Sequence, residues 1–355
     1  MRIGYSFWGF LGPGITDTPD GGRSHRRPFL DAIIGAGHEV VLLQPDRDLA
    51  EAGDAVASSY RFHAGLPDIE VLFLEWRWPI AGRNTTPCGT PGHTCDLHRQ
   101  DQLVAHYIDS LGTPTILWDK DRQLPAHAPL RHHRRVIVCE AALTPTAGAR
   151  SLLLPLDDAR LQGAYPVALA ARERPHPLCY IGNQYDRDEA FDTYFVPAAA
   201  RVPHLVAGKW SDVSRWPGVN FIGRVPFDEV EKIYSRSLAT VLLLPDRYAV
   251  AGQMTQRIFE AVLAGCVPLA PATISQADAF VPPQMVVNDA TDVVRALLQL
   301  DEITGGTEHA EMINACLDRL EMFRLSRQLQ VVQEMLEDLG SIRCRGRSGE
   351  TRAGR

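Results

Sequence analysis

Arg257 and Glu260 stand three positions apart in the stretch Gly252-Gln-Met-Thr-Gln-Arg257-Ile-Phe-Glu260-Ala-Val-Leu-Ala-Gly265-Cys-Val-Pro268-Leu. It reads as a polar loop, a short helix stopped at Gly265, and an apolar strand. Residues three apart share a helix face, so a guanidinium and a carboxylate project together from the first turn. The N-terminus of a helix already favours anions. An arginine there can clamp a diphosphate bidentately, and a carboxylate one turn on can accept both hydroxyls of a ribose. The pair predicts a grip on the nucleotide of an activated sugar. The alternative is a surface ion pair contributing about 0.3 kcal/mol.

Other strand-end loops offer complementary groups. In Tyr180-Ile-Gly182-Asn183-Gln-Tyr-Asp-Arg187, a glycine lets backbone approach a ligand and Arg187 could reach a phosphate. An ordinary turn with a solvated charge fits those residues equally well. In Gly223-Arg-Val225-Pro226, Val225 could offer its backbone to the edge of a base while its side chain packs on the ring; a plain turn is the alternative. Asp246, after Leu244-Pro, could bind sugar hydroxyls. Thr115-Ile-Leu-Trp118-Asp119-Lys-Asp121-Arg122-Gln-Leu-Pro125 is a strand ending in two acids, either of which could deprotonate a hydroxyl. Against that, Asp119 could cap its own loop and Asp121 pair with Arg122. Gly12-Pro-Gly14 and Gly21-Gly22 lead to a helix start where Ser24 could cap and His25 or Arg23 could face substrate. Cys88, His93, Cys95 and His98 have near-metal spacing that matches no ribbon or finger pattern. Their Gly/Pro/Thr-rich setting reads instead as a mobile acceptor-binding loop, and no metal ligands are assigned.

Positioning these groups takes two cores, since 355 residues exceed one and suit two domains of about 150. Apolar strands alternate with helices: Arg2–Trp8, Glu39–Gln44, Val71–Glu75, Thr115–Trp118, Val136–Cys139 and Ser151–Leu154, with helices near Ser24–Gly35 and His98–Ser110. The pattern restarts after a Pro/Arg stretch with Leu178–Ile181, His204–Ala207, Val219–Phe221, Thr240–Leu244, Val267–Leu269 and Met285–Val287. Near-continuous apolar strands with intervening helices predict parallel, doubly wound α/β sheets. We expect an acceptor-binding domain over 1–160, a nucleotide-sugar-binding domain over 175–320, a helix over 321–339 returning to the first, and a disordered tail over 340–355. The binding cleft is expected between the two domains.

A hydrophobic content of 45% and charged content of 22% are ordinary for a globular protein, and apolar runs of strand length predict no membrane span. The start leads directly into a strand, and seven cysteines form no regular framework, so a reducing cytoplasm is expected (that of a host if phage-encoded). A net charge of −7 argues against a wholly basic surface, although Arg131-His-His-Arg-Arg135 and Ser24-His-Arg-Arg27 form local clusters.

In this order the motifs resemble GT-B glycosyltransferases, most nearly the DNA β-glucosyltransferases of T-even bacteriophages and less specifically the CgeB-like glycosyltransferases. The resemblance is continuous from Leu178 to about Ala270 and patchy before it. It implies two Rossmann-like domains facing a central cleft, with a C-terminal helix crossing back. Asp121-Arg-Gln-Leu-Pro125 resembles the segment holding the phage enzymes' base, so Asp121 inherits that role over Asp119. Gly182 and Asn183, with Arg187, resemble their donor loop; Gly223-Arg-Val225-Pro226 resembles their uracil-holding turn; Arg257 and Glu260 resemble their diphosphate and ribose ligands; and Asp246 falls at an aspartate near the donor. Departures are His25 where those enzymes carry a glutamate and Glu189 where they carry a second donor-loop arginine. Many retaining relatives place a glutamate eight residues before the ribose ligand; here that position is Gly252, which implies inversion.

The sequence therefore predicts an inverting transferase moving a sugar, glucose from UDP-glucose first, to a hydroxyl. No cofactor beyond the UDP-sugar co-substrate is expected; a divalent metal is compatible but not needed. The first acceptor is a hydroxymethylated base flipped from DNA, with Arg26, Arg122 and Arg131 on phosphates, His25 at the acceptor, and Trp76 and Trp78 near the opening. The alternatives are a small-molecule, saccharide or protein acceptor, a nucleotide-sugar epimerase, and a non-catalytic binding protein.

Overall fold

The computed structural model describes residues 1–7, 11, 22–43, 54–81, 84–93 and 95–350. The glycine loop 12–14 and Gly21 lie outside them. The chain divides into two compact units: Met1–Gly14, Arg26–Leu153 and Leu325–Arg355 form the first, and Ile15–His25 with Leu154–Arg324 the second.

The first unit holds a seven-stranded sheet of β1 (Arg2–Ser6), β2 (Glu39–Leu42), β3 (Arg61–Phe62), β4 (Val71–Glu75), β5 (Thr115–Asp119), β6 (Val136–Glu140) and β7 (Arg150–Ser151), in the order β3-β2-β1-β4-β5-β6-β7. Every pairing in it is parallel. The second unit holds β8 (His176–Ile181), β9 (His204–Ala207), β10 (Phe221–Gly223), β11 (Ser237–Val241), β12 (Val267–Pro271) and β13 (Val286–Val287), in the order β10-β9-β8-β11-β12-β13. These pairings are parallel too. In each sheet the first strand of the unit lies beside its fourth, where strand order reverses and α/β sheets bind ligands beyond the strands' carboxyl ends. This is the doubly wound, Rossmann-like arrangement that the continuous apolar strands predict.

Differences from the sequence reading are local. Strand β11 sits three residues earlier than expected, because Leu242–Leu244 are buried without extending the ladder beyond Leu242 N–H to Leu269 O. The short β3 carries too little apolar pattern to be read. Helix α1 (Gly22–Gly35) starts two residues before Ser24, so Ser24 lies in its first turn, with its hydroxyl on Glu260, instead of capping it. The helix α2 (Asp96–Leu103) continues into widened π turns over Val104–Ser110. The last helix, α3 (Leu325–Glu350), belongs to the first unit and runs ten residues past Gly340, where a disordered tail was expected. The helix thus runs through Ser341, Gly346, Ser348 and Gly349, whose low helix propensity pointed to an earlier end.

The first core forms around Trp118, fully buried, whose indole N–H donates to Leu152 O at 3.0 Å. Its ring lies 5.7 Å from Phe29 and 6.2 Å from Phe73, which stacks on Tyr5 at 4.7 Å. Because Trp118 immediately precedes Asp119, it sets the end of β5. Trp118→Ala should lower stability by about 3–5 kcal/mol; denaturant unfolding measures this, and a loss under about 1 kcal/mol would contradict the packing described.

Candidate functional site

In the second unit the site is built on the end of β8. The Gly182 N–H donates to Ala207 O at 2.8 Å, and Gly182 O accepts from Trp210 Nε1 at 2.9 Å. A Cβ at residue 182 would lie 2.8 Å from the Arg257 guanidinium carbon and 2.7 Å from the Tyr180 hydroxyl. Glycine is thus required for Arg257 to lie against this strand end. Gly208, at φ +138°, permits the same close approach from β9, because a side chain there would overlap the Gly182 carbonyl.

Arg257 opens helix α4 (Arg257–Leu263). The helix ends as the sequence indicates. Gly265, at φ +78°, donates to Val262 O at 2.8 Å, and Cys266 N–H donates to Ala261 O at 2.9 Å, the paired bonds of a Schellman stop. The Arg257 guanidinium lies 6.0 Å from the Tyr180 ring centre. Glu260, one turn on, accepts a hydrogen bond from the Ser24 hydroxyl.

Arg187 is buried beneath this corner. Its Nη1 donates to the Tyr180 hydroxyl at 2.6 Å and its Nε to Tyr185 O at 2.9 Å. Burial holds its pKa below the ordinary arginine value, and the nearby Arg257 charge pushes the same way. Among the described residues neither arginine has a carboxylate partner, so two cations share a site that an anion would relieve. A cavity of about 540 Å³ opens here, lined by Arg187, Asp246, Arg247, Gln184, Asp186 and Asp188 among others. Asp246 is exposed at the start of the short helix Asp246–Ala249, and Arg247 is held by Asp186 at 2.7 Å. The Asn183 side chain accepts from Lys209 N–H at 3.0 Å, clamping the loop. The Val225 side chain is buried with Cys179, Ile181 and Tyr234, which corrects its expected place on a base ring and leaves only its backbone for that role.

In the first unit, three neighbouring strands end in acids: Glu75, Asp119 and Glu140. Asp119 is fully buried and accepts from Gln123 N–H at 2.9 Å and Leu124 N–H at 2.8 Å. Burial raises its pKa despite those bonds. It caps its own loop. Asp121 lies two residues on and is part-exposed, leaving it the more accessible of the two candidate bases. Arg122, at φ +54°, pairs with Glu140 rather than with Asp121.

Two cations expected at an acceptor are otherwise committed. Arg26, 1% exposed, makes a bidentate pair with Glu75 at 2.8 and 2.9 Å. Arg131 reaches Glu140 at 2.8 Å, Asp119 at 3.4 Å and Leu124 O at 2.8 Å. Both are structural because a buried guanidinium needs a partner. His25 is buried as well. Trp76 packs half-buried against Leu117 and Leu124. A larger cavity of about 620 Å³ lies beside Gly65, Arg99 and His106, but Arg99 is spent there on the Gly65 and Leu43 carbonyls and no acid lines it. Sequence reasoning missed Glu75, Tyr180, Gly208 and Trp210. Glu75 had a signal, since it ends its strand as Asp119 does.

Residues 190–320 match the family model described as Glycosyl transferase-like. No curated protein matches the chain. Among solved structures, it is similar to T4 phage β-glucosyltransferase in complex with UDP and Mn²⁺ (TM-score 0.66, 11% identity, 94% of this chain and 99% of that one). It is also similar to an α-glucosyltransferase in complex with UDP-glucose and DNA containing an abasic site (TM-score 0.59, 11% identity, 96% and 99%). A third is AviGT4, a glycosyltransferase involved in avilamycin A biosynthesis (TM-score 0.56, 15% identity, 96% and 98%). The chain has the GT-B glycosyltransferase fold, with a glycosyl transferase-like region at 190–320, in keeping with the resemblance its motifs carry.

Burial alone would raise the Glu140 pKa. Hydrogen bonds from Thr146 N–H and hydroxyl, with Arg122 and Arg131, outweigh it and leave the carboxyl below its ordinary value. A folded-state pKa below the unfolded one gives stability that is present above the unfolded value and lost as pH falls through the folded one. Glu140→Gln should therefore be less stable than the parent by about 1–3 kcal/mol near pH 7, with the gap closing toward about pH 3. Urea unfolding across that range measures it; a gap independent of pH would refute the assignment.

Proposed function

We propose that this chain is an inverting glycosyltransferase that moves a sugar from a UDP-sugar, UDP-glucose first, to an acceptor hydroxyl. The observation that carries the reading is Arg257 against Gly182 beside the buried Arg187, neither with a carboxylate partner among the described residues, at the switch point of the second sheet, with Glu260 one turn on. Arg257 and Arg187 hold the diphosphate, and Glu260 accepts the ribose hydroxyls. The Val225 backbone meets the base, and Asp246 meets the sugar at the adjoining cavity. Gly182 and Asn183 let the donor loop close on the phosphates.

Asp121 removes the acceptor proton as its oxygen attacks the anomeric carbon; the bond to the diphosphate breaks, and the leaving charge falls on Arg257 and Arg187. Those cations supply the stabilisation that a metal gives elsewhere. Asp119, closed into its loop, keeps Asp121 in place and stays out of the proton transfer. Reaction within a reducing cytoplasm suits the unpaired thiols.

For the acceptor, the pairing of Arg26 with Glu75 and of Arg131 with Glu140 favours a small molecule or saccharide, because neither cation is left for DNA phosphates. The exposed Arg134 remains for the second reading, a hydroxymethylated base in DNA.

Arg257→Ala should weaken UDP-glucose binding by roughly 10- to 100-fold, the loss of charge-assisted hydrogen bonds contributing about 1.5–3 kcal/mol. Asp121→Asn should bind donor normally and lose about 100-fold or more in kcat. Calorimetry and UDP release against a panel of hydroxyl acceptors measure both; unchanged donor affinity in Arg257→Ala sinks the donor site, and full activity in Asp121→Asn sinks the base. Binding to hydroxymethylated DNA should show little dependence on salt if the small-acceptor reading holds, whereas a DNA enzyme would lose affinity steeply between about 50 and 200 mM salt.

A further inference from the structure

The loop before α2 brings together side chains that the transfer reaction does not use. Cys88 Sγ, one imidazole nitrogen of His93 and Cys95 Sγ all lie within 4.8 Å of one another. His93 Nδ1 is 2.8 Å from Cys95 Sγ, and neither thiol is in a disulfide. Two soft thiolates and an imidazole at such separations are the donor set of a thiophilic divalent ion, whose ligands sit about 2.0–2.3 Å from the metal.

The backbone is bent to bring them there. Gly89 and Gly92 take φ +84° and +83°, and Cys95 takes φ +56° directly before the helix. A cysteine in the left-handed region is strained, since its Cβ crowds the following carbonyl. The local bonds are two tight turns, Thr90 N–H to Pro87 O and His93 N–H to Thr90 O. Cys88 and His93 are exposed, so apolar packing does not hold the loop.

What the loop leads into is structural. Asp96, next after Cys95, is fully buried, and Gln100 of the same helix accepts from Arg77 N–H at 2.8 Å and donates to Arg77 O at 3.0 Å. Burial lowers the Arg77 pKa to about 10, with Asp96 and Glu75 opposing that fall. A staple at residues 88–95 would therefore fix the start of α2, and through it the backbone following β4.

We propose that Cys88, His93 and Cys95 bind one zinc ion that orders this loop. The two thiols lose their protons to solvent on binding, the imidazole stays neutral, and a solvent molecule completes the tetrahedron. His98, which sequence spacing also offers, is not among the converging atoms; its Nε2 lies 2.9 Å from Gln102 Nε2. This site does not depend on the glycosyltransferase reading, because its ligands belong to neither the donor nor the base.

The test is metal binding to the full chain, purified under reducing conditions and stripped with a chelator. Zinc should rebind at about one per chain, and cobalt(II) should give a thiolate-to-metal charge-transfer band with the visible bands of a tetrahedral ion. Cys88→Ser and Cys95→Ser should each weaken zinc by about 100-fold or more and abolish the charge-transfer band, with binding tightening as pH rises. Cys344→Ser, which alters a thiol in the C-terminal helix, should change neither. Circular dichroism confirms that each variant is folded. No charge-transfer band in the parent chain, or a band that survives both loop substitutions, overturns the proposal.

Discussion

A guanidinium can lie against the end of β8 only because residue 182 has no side chain. That constraint links the sequence to the candidate donor site. It accounts for Gly182 itself, for Gly208, whose missing side chain lets β9 press on the Gly182 carbonyl, and for Trp210, whose indole holds that carbonyl in place. It also explains why the Schellman stop at Gly265 matters. The stop ends α4 after seven residues, and the following β12 then fixes the helix by its ladder to β11. Arg257 is aimed by the strand that comes after it as much as by the helix it opens.

The two units treat their arginines in opposite ways. In the first, carboxylates at three strand ends gather the cations: Glu75 takes Arg26 and Lys120, and Glu140 takes Arg122 and Arg131. A buried carboxylate without such partners would be expelled or protonated, so these pairs hold the ends of β4 and β6 in charged form. Asp119 lies between them with two backbone N–H groups and only a long contact to Arg131, and burial drives its pKa up while that of Glu140 goes down. In the second unit Arg187 and Arg257 stand together with no acid among the described residues to pair them.

Much of this was legible. Continuous apolar strands gave parallel sheets, and Gly265 after a short helical pattern gave the boundary and direction of α4. Gly182, Arg187, Asp246, Arg257 and Glu260 could be singled out because they stand just after readable strands or in the first turn of a readable helix. What was not legible was commitment. Arg26 and Arg131 looked like solvated basic clusters, since the sequence does not reveal that those arginines fold back onto the strand-end acids Glu75 and Glu140. Asp119 and Asp121 are alike in sequence, and only the chain turn at Arg122, with φ +54°, separates a loop cap from an accessible acid. Val225 was read as reaching outward, but its side chain completes a core shared with Cys179 and Tyr234.

The same distinction bears on the acceptor. Affinity for a polyanion rises with the number of cations free to replace its counterions, so arginines already held by carboxylates add little to it. Here the first unit keeps Arg26, Arg122 and Arg131 for its own strand ends. A net charge of −7 is the global counterpart of that local allocation. Likeness of fold to enzymes crystallised with DNA does not carry their phosphate contacts with it, because a fold transmits strand order and loop positions while each side chain's partner is chosen residue by residue. On that physical ground the arginines Arg26 and Arg131, held at strand ends by Glu75 and Glu140, do not make a basic track.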